Sequence, residues 1–237
     1  MASSEPTMRH FTPAEHDTWR ALFARLSHCR ANLAHPQFND GLQALGITGE
    51  CIPSLAAVNE RLFALTGWRG VPVTGLEDAS SFFRLLANRE FPIGAFIRDA
   101  KDLSYTPAPD VFHDMYGHLP LFADPAYADF NHRIGQLATR YLEDPLQLRR
   151  FERFYWFALE FPLVETTSGR RIFGGGILSS FGESAYALSN EPETCPFDLL
   201  VIRDLEYRID VMQPRLFVLD GPATLYSSLP QFERLIA

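Results

Sequence analysis

The sequence predicts one mainly helical domain with a few short strands, an α+β fold. Helical periodicity with recognisable caps dominates the chain, strand-like runs are few and short, and no linker, repeat or low-complexity tract divides the 237 residues. With 46% hydrophobic and 21% charged residues, the chain has the composition of a globular protein. We therefore expect a single domain over residues 1–237, with about the first ten residues free to be disordered.

Caps and apolar spacing place the helices. A capping box in Thr12–Glu15 begins the first, and the helix over Ser54–Thr66 ends at Gly67. Further helices are expected from Asp124–Pro125, over about Leu148–Leu163, and from a second capping box at Ser180–Glu183 through Leu188.

Three short runs favour strands. Arg171–Phe173 follows a Ser168–Gly169 turn, Tyr207–Val211 alternates with period two, and Leu216–Leu219 is apolar. These runs supply the small β component of the expected fold.

Charge and cysteine content exclude several classes of protein. Lys+Arg 21 against Asp+Glu 29 gives a net charge of −8, which disfavours nucleic acid and anionic membranes as partners. The three cysteines are scattered and form no disulfide framework. Neither a signal peptide nor an apolar run of bilayer-spanning length is visible, so we expect a cytoplasmic protein.

His113 and His118 are the first candidate metal ligands. Residues five apart on an α-helix differ by about 140° and ~7.5 Å, so both rings would meet one ion only near a helix end. Gly117 and Pro120 are typical of such an end. By itself, this histidine spacing is more often structural than functional.

Glu160 strengthens the metal hypothesis. It is the single acidic residue in the apolar stretch Tyr155–Phe161, and a buried carboxylate needs a cation, a proton or hydrogen bonds. Two imidazoles and one carboxylate with open positions are typical of non-haem Fe(II) oxygenases. The same ligands suit a catalytic zinc, so ligand type leaves the metal open.

The surroundings of these residues are aromatic. Phe is present 20 times, and the rings near the three residues would form a dry cavity for a flat aromatic substrate or a bicyclic cofactor. No nucleotide-binding glycine motif is present. Gly174–Gly176 has the wrong spacing for one and instead indicates close backbone approach.

Four ordered blocks of sequence carry a resemblance to a known family. They are Gly75–Phe83, Phe91–Arg98, Tyr105–Pro120 and Tyr155–Glu183, the last ending in Gly-Ile-Leu-Ser-Ser-Phe-Gly-Glu. The chain resembles the pterin-dependent aromatic amino acid hydroxylases, above all the single-domain bacterial phenylalanine hydroxylases. The likeness extends more loosely from about Phe11 to the C-terminus. It implies the helical basket of that family's catalytic domain.

The resemblance also implies the roles of individual residues. His113, His118 and Glu160 would bind Fe(II). The residues implied for a tetrahydropterin, such as tetrahydrobiopterin, are Gly75, Leu76, Phe82, Asp114 and Tyr155. The residues implied for the amino acid are Arg98, Thr106, Pro109, Asp110, Trp156, Phe161, Gly176 and Ser179.

Within that set, Arg98 would clamp the substrate carboxylate, since a guanidinium binds a carboxylate bidentately. Asp110 would orient Arg98 or a ligand histidine, although it would equally suit a helix N-cap.

The sequence departs from the family pattern at three places. Asp114 stands where the family usually has Glu. Phe161–Leu163 has Pro where Phe-Gly-Leu is common, and Phe173–Gly176 replaces Tyr-Gly-Ala-Gly. The last two segments line the family's substrate pocket, so they bear on which amino acid is chosen and which ring carbon is attacked.

The expected function is a catalytic domain that hydroxylates a free aromatic amino acid, first of all phenylalanine to tyrosine, using Fe(II), O2 and a tetrahydropterin. The same chemistry giving meta-tyrosine or 5-hydroxytryptophan is the alternative. A zinc hydrolase with Asp114 as base and an inactive small-molecule binder are more distant alternatives. The chain leaves no room for a regulatory domain or an assembly helix, so we expect a monomer or weak dimer.

Overall fold

The computed structural model describes residues 8–104, 106 and 108–236, and it is mainly helical. Within this part of the chain the α-helices are α1 (Pro13–Arg25), α2 (Pro36–Leu45), α3 (Leu55–Thr66), α4 (Ala79–Ala87), α5 (Leu119–Phe122), α6 (Pro125–Ala138), α7 (Pro145–Tyr155), α8 (Gly175–Leu178), α9 (Phe181–Tyr186), α10 (Leu199–Ile202) and α11 (Pro222–Ile236). The π-helices are π1 (Cys29–Leu33), π2 (His113–His118) and π3 (Trp156–Glu160), and Thr139–Tyr141 is a 3-10 turn. The expected fold class is confirmed.

The strands form two small sheets. β1 (Arg69–Val73) and β2 (Glu90–Gly94) pair in parallel, with α4 as the connection between them. The second sheet has the order β4 (Arg171–Ile172), β3 (Leu163–Val164), β6 (Arg215–Leu219) and β5 (Glu193–Pro196). β3 is antiparallel to β4, whereas the other two pairs are parallel. The predicted strands at residues 171–173 and 216–219 are therefore confirmed.

Caps begin and end the predicted helices as expected. Thr12 and Glu15 complete the capping box of α1. Ser54 caps α3, which ends at Gly67 in the left-handed conformation with φ 75°. Asp124 accepts hydrogen bonds from the first two peptide N–H groups after Pro125, which is the first residue of α6.

Glycines bring the central helices close together. A Cβ atom on Gly135 of α6 would lie 2.3 Å from the Ala87 nitrogen at the end of α4. A Cβ atom on Gly41 of α2 would lie 1.9 Å from the carbonyl oxygen of Pro120 in α5. Since any side chain at these positions would force the backbones apart, the two contacts require glycine. They fix α2 against α5, which directly follows the segment that contains the two histidines, and α6 against α4.

The prediction of one helix over 148–163 was wrong at both ends. α7 begins three residues earlier, at Pro145, because Asp144 caps it. It changes to π3 at Trp156, and π3 ends at Glu160 because the chain enters β3 at Leu163. The helix after Ser180 is also shorter than expected and ends at Tyr186.

The predicted strand at Tyr207–Val211 is wrong. The segment between α10 and β6 is an irregular loop. The side chain of Gln213 donates hydrogen bonds to the carbonyls of Arg208 and Val211, at 2.7 and 3.0 Å. These bonds to its own backbone curl the segment and take acceptors that a sheet would use.

The N-terminal expectation falls mostly outside the described residues, which begin at Met8. Tyr105 and Pro107 of the third sequence block also lie outside them. Arg9 is tied to the domain, since its Nε donates to the carbonyl oxygen of Ala95 at 2.6 Å.

Among the described residues, none of the helices combines the length and the apolar character needed to span a bilayer.

Candidate active site

Three side chains from two π-helices converge on one point. His113 Nε2 lies 3.1 Å from His118 Nε2, and His118 Nε2 lies 3.1 Å from Glu160 Oε1. The second Glu160 oxygen lies 3.9 Å from His113 Nε2. One ligand atom from each residue can be chosen so that all lie within 4.8 Å of one another. Two nitrogens and a carboxylate at these separations form a donor set for a divalent cation.

The winding of the backbone explains the histidine spacing. His113–His118 is a π-helix, closed by the hydrogen bond from the Leu119 N–H to the Asp114 carbonyl. A π-helical hydrogen bond spans five residues, so residues five apart come to neighbouring positions on one face. The predicted helix end at Gly117 and Pro120 was therefore wrong, because the chain continues directly into α5. A second π-helix carries Glu160 in the same way.

Burial and charges in the cluster favour a neutral His113 imidazole and an ionised Glu160 carboxylate. Burial and the neighbouring His118 lower the pKa of His113 to about 4. Burial alone would raise the pKa of Glu160, but the two histidines and the Gly176 N–H lower it below its ordinary value. These are the protonation states that metal binding requires.

Ser179 fixes the tautomer of His113. The Ser179 hydroxyl donates to the Gly175 carbonyl, with 2.9 Å between the oxygens, and it lies 2.9 Å from His113 Nδ1. Because its single proton is committed to Gly175, the hydroxyl accepts from Nδ1–H. Nε2 of His113 is then unprotonated and presents its lone pair to the cluster.

The three consecutive glycines pack against the ligands. A Cβ atom on Gly174 would lie 2.2 Å from the Glu160 carbonyl oxygen, and one on Gly175 would lie 2.4 Å from the His118 ring. A Cβ atom on Gly176 would lie 3.1 Å from Glu160 Oε2. The expectation that Gly174–Gly176 allows close backbone approach is confirmed.

Asp110 connects the histidine segment to Arg98. Its carboxylate accepts from Nε and Nη2 of Arg98, both at 2.9 Å, and from the His113 backbone N–H at 2.9 Å. Asp110 is fully buried and Arg98 is 6% exposed. Burial opposes ionisation of Asp110, yet Arg98 holds its pKa below the ordinary value. Asp110 thus contacts Arg98 and caps the helical segment that contains both histidines.

Aromatic rings connect the residues assigned to the pterin with the histidines. The Phe82 ring packs edge-on against Tyr155, with 4.8 Å between centroids, and it also contacts Phe91. The Phe91 ring in turn lies 4.9 Å from the His118 ring. Phe82 is therefore connected to the cluster through one intermediate ring, that of Phe91, and Tyr155 through the rings of Phe82 and Phe91.

Asp114 is buried beside the end of β2, whereas the loop before α4 that contains Gly75 and Leu76 is exposed. Asp114 accepts a hydrogen bond from the Gly94 N–H at 2.7 Å, and burial raises the pKa of its carboxyl well above the ordinary value. Gly75 and Leu76 lie in the loop between β1 and α4, where the Leu76 side chain is 71% exposed.

The residues assigned to the amino acid include two groups, one around Trp156 and one around Pro109. Trp156 packs on Phe161, with 4.6 Å between ring centroids. The Phe161 ring adjoins Gly176, since a Cβ atom there would lie 3.1 Å from its Cζ. The Thr106 hydroxyl donates to the Ala108 carbonyl. The Pro109 carbonyl oxygen would lie 2.7 Å from a Cβ atom on Gly94, so this segment packs against the end of β2.

Sequence reasoning missed two residues next to Trp156. Tyr207 stacks on the Trp156 indole, and Gln213 accepts a hydrogen bond from its N–H. Neither residue belongs to a local motif. Tyr207 was interpreted as part of a strand, and Gln213 lies two residues beyond that strand, so neither gave a signal of a role at the site.

Comparisons with known proteins agree with this geometry. The family model described as biopterin-dependent aromatic amino acid hydroxylase matches residues 4–237. The chain is 41% identical over 217 residues to a phenylalanine-4-hydroxylase of Pseudomonas aeruginosa, covering 92% of this chain and 82% of the relative. It is 42% identical over 216 residues to that of Caulobacter vibrioides, covering 91% and 73% of the two chains.

A solved structure extends the likeness to the fold. The crystal structure of phenylalanine hydroxylase from Chromobacterium violaceum with bound oxidized Fe(III) matches with a TM-score of 0.93 and 35% identity. The match covers 98% of this chain and 85% of that one.

Proposed function

Because the chain belongs to the biopterin-dependent aromatic amino acid hydroxylases, we propose that it converts free L-phenylalanine to tyrosine with Fe(II), O2 and a tetrahydropterin. The observation that carries this proposal is the convergence of His113, His118 and Glu160 within 4.8 Å. Two imidazoles and one carboxylate are the ligand set of non-haem iron oxygenases that keep coordination positions open.

His113, His118 and Glu160 would hold the iron. The donor set fits, because Ser179 leaves the His113 Nε2 lone pair free and Glu160 is held in its ionised form. When bound, iron and reduced pterin supply the two-electron chemistry that activates O2. The protein's part is to fix the ligands and to keep water away, and His118 is fully buried.

Arg98 would bind the carboxylate of the amino acid. Asp110 uses two of the guanidinium's donor nitrogens and fixes the plane of the group. Nη1 makes one long bond of 3.4 Å, to the Leu103 carbonyl, so donor capacity is left for a substrate. Thr106, Pro109, Trp156, Phe161, Gly176 and Ser179 would form the remainder of the amino acid site.

The pterin would bind against Phe82 and Tyr155, with Asp114, Gly75 and Leu76 as further contacts. The Phe82–Tyr155–Phe91 group provides an aromatic surface for a flat bicyclic ring. No side chain needs to act as a general base, which separates this assignment from a zinc hydrolase.

We also propose that residues 1–237 form one catalytic domain that acts as a monomer or weak dimer. The family model spans nearly the whole chain, which supports a single domain. Light scattering at several protein concentrations tests the oligomeric state, and a stable tetramer would contradict it.

Product analysis tests the function. The protein is incubated with Fe(II), tetrahydrobiopterin, O2 and a mixture of Phe, Tyr and Trp, with parallel reactions lacking O2, pterin or iron. We expect tyrosine from phenylalanine only in the complete reaction. 5-Hydroxytryptophan as the main product would show that tryptophan is the substrate. Meta-tyrosine as the main product would show that the meta carbon of phenylalanine is hydroxylated. Hydrolysis with zinc and without pterin would overturn the reaction class.

A further inference from the structure

Two residues of the loop between α10 and β6 hold the indole of Trp156. Its Nε1 donates to Gln213 Oε1 at 3.1 Å. The Tyr207 ring stacks on the indole with 4.4 Å between centroids and 13° between planes. One contact fixes the edge of the indole and the other covers its face.

Gln213 is itself held in one orientation. It is 2% exposed, and its Nε2 donates to the carbonyls of Arg208 and Val211 at 2.7 and 3.0 Å. Because both donor hydrogens of the amide are used by carbonyl oxygens, the amide oxygen must face the indole N–H, which can only donate. The direction of this hydrogen bond is therefore set by the loop.

Tyr207 is anchored to the helix that leads into Trp156. Arg149 of α7 donates to the Tyr207 hydroxyl at 3.2 Å, and its guanidinium carbon lies 4.7 Å from the ring centroid. Arg149 also pairs with Glu206 at 3.2 Å, and Arg153 of α7 pairs with the same carboxylate. The loop and α7 thus form one unit around the indole.

The position of the indole is transmitted to the cluster. Trp156 contacts Phe161, and Phe161 contacts Gly176 beside the Glu160 carboxylate. A tilt of the indole would move the Phe161 ring, and with it the wall next to the candidate metal site. Packed rings cannot move independently at protein packing density.

We propose that Tyr207 and Gln213 are positioning residues that act through Trp156 and Phe161 to set which aromatic side chain the pocket accepts. This inference rests on the proposed function, because it takes these rings as the wall of the amino acid site. An indole fixed at its edge and its face cannot turn aside for a larger ring, so the pair favours phenylalanine over tryptophan. Shape discrimination of this kind is typically worth ~10- to 200-fold per methylene-sized difference.

The matched variants Tyr207→Phe and Tyr207→Leu test the stack. Tyr207→Phe keeps the ring and should leave the ratio of kcat/KM for Phe to that for Trp within about twofold. Tyr207→Leu removes the ring and should lower this ratio by about 3- to 10-fold, the range expected for one aromatic pair. We expect the change to come from a higher KM for Phe with little change in kcat.

A double-mutant cycle tests the hydrogen bond. Trp156→Phe and Gln213→Leu each remove one end of the same bond, so the effect of the double variant on the ratio should be smaller than the product of the two single effects. Multiplicative effects would show that Gln213 does not act through Trp156. Melting temperatures are measured alongside, since a purely structural role would lower them without changing the ratio.

An unchanged Phe-to-Trp ratio in both Tyr207→Leu and Gln213→Leu, with native circular dichroism, overturns the inference. If Tyr207→Leu does not fold, the cycle on Trp156 and Gln213 decides, since both substitutions remove the indole hydrogen bond and neither removes the Tyr207 ring. Failure of the proposed function is distinguishable, because the unaltered protein would then form no tyrosine from phenylalanine. Calorimetric binding of L-phenylalanine and L-tryptophan would still compare the variants in that case.

Discussion

The histidine segment, π2, and the indole wall, formed by Trp156, Phe161, Tyr207 and Gln213, adjoin the same Glu160 carboxylate and are built differently. His113 is held in part by Asp110, which is close in sequence, and in part by Ser179, which is 66 residues away, and the Phe91 ring packs on His118. The indole is held by side chains more than fifty residues away, in a partly exposed loop. A metal site needs fixed ligand distances, whereas a substrate wall can change its shape without loss of the ligands. On the proposed function, the difference separates the part of the site that would hold the metal from the part that would select the amino acid.

Replacing Glu160, which belongs to neither region, should have the largest effect. Glu160→Gln keeps the shape of the side chain but removes the negative charge between the two imidazoles. We expect iron to be lost and hydroxylation to fall below about 1% of the parent, since even altered outer contacts of a metal site cost 10- to 100-fold. Iron content by mass spectrometry and tyrosine formation check this. Glu165→Gln, at an exposed ion pair with Arg170, is the matched control and should change neither.

The next largest effect should come from Arg98. Arg98→Lys cannot keep the two parallel hydrogen bonds to Asp110 or offer a fork to a substrate carboxylate. Charged hydrogen bonds are worth ~1.5–3 kcal/mol, so we expect KM for phenylalanine to rise by ~10- to 100-fold. Steady-state kinetics measure this. Arg215→Lys, whose partner Glu193 is exposed, serves as the control. An unchanged KM in Arg98→Lys would remove Arg98 from the amino acid site.

Ser179→Ala should have a smaller effect, because it alters a contact of His113 and leaves all three candidate ligands in place. Without the hydroxyl, His113 Nδ1 loses its partner, and the Nε2–H tautomer that cannot bind a metal becomes accessible. We expect ~10-fold weaker Fe(II) binding with the fold retained. A metal titration followed by calorimetry measures the change, and Ser227→Ala on the exposed face of α11 provides the comparison. Equal affinities in the two variants would contradict the assignment of the tautomer.

The smallest effect should come from Glu183, which we place in neither region. Burial raises the pKa of its carboxyl from the ordinary 4.5 to about 7, so the folded state binds more protons than the unfolded state between these values. Stability therefore falls as the pH rises through this window. Glu183→Gln should leave the melting temperature nearly unchanged at pH 5 and raise it relative to the parent at pH 8. An equal difference at both pH values would assign the effect to packing.

The sequence supports prediction of the histidine segment far better than of the indole wall. The helix caps at Thr12, Ser54 and Asp124 are recognised from a few neighbouring residues. The spacing of the two histidines and the isolated Glu160 are also visible in short stretches of sequence, so local patterns predicted the helix starts and the candidate ligands. The π-helical winding was not predictable in this way, because it depends on how the whole segment packs. Period-two alternation at Tyr207–Val211 predicted a strand, although the alternation there reflects a loop held by Gln213. The spacing of neighbouring residues carries no signal of the contact between Trp156 and Gln213, which are 57 residues apart.

The five-residue spacing of the histidines has a consequence for the core as well as for the metal. Val111 and Phe112 precede the π-helix, Leu119 and Phe122 follow it, and all four are fully buried. Each residue of an α-helix advances the side-chain direction by about 100°. Deleting one residue of π2 would turn one buried pair away from the other by about that angle. The length of π2 therefore sets both the relative orientation of the two histidines and that of the buried residues on either side. A shorter segment would alter both at once.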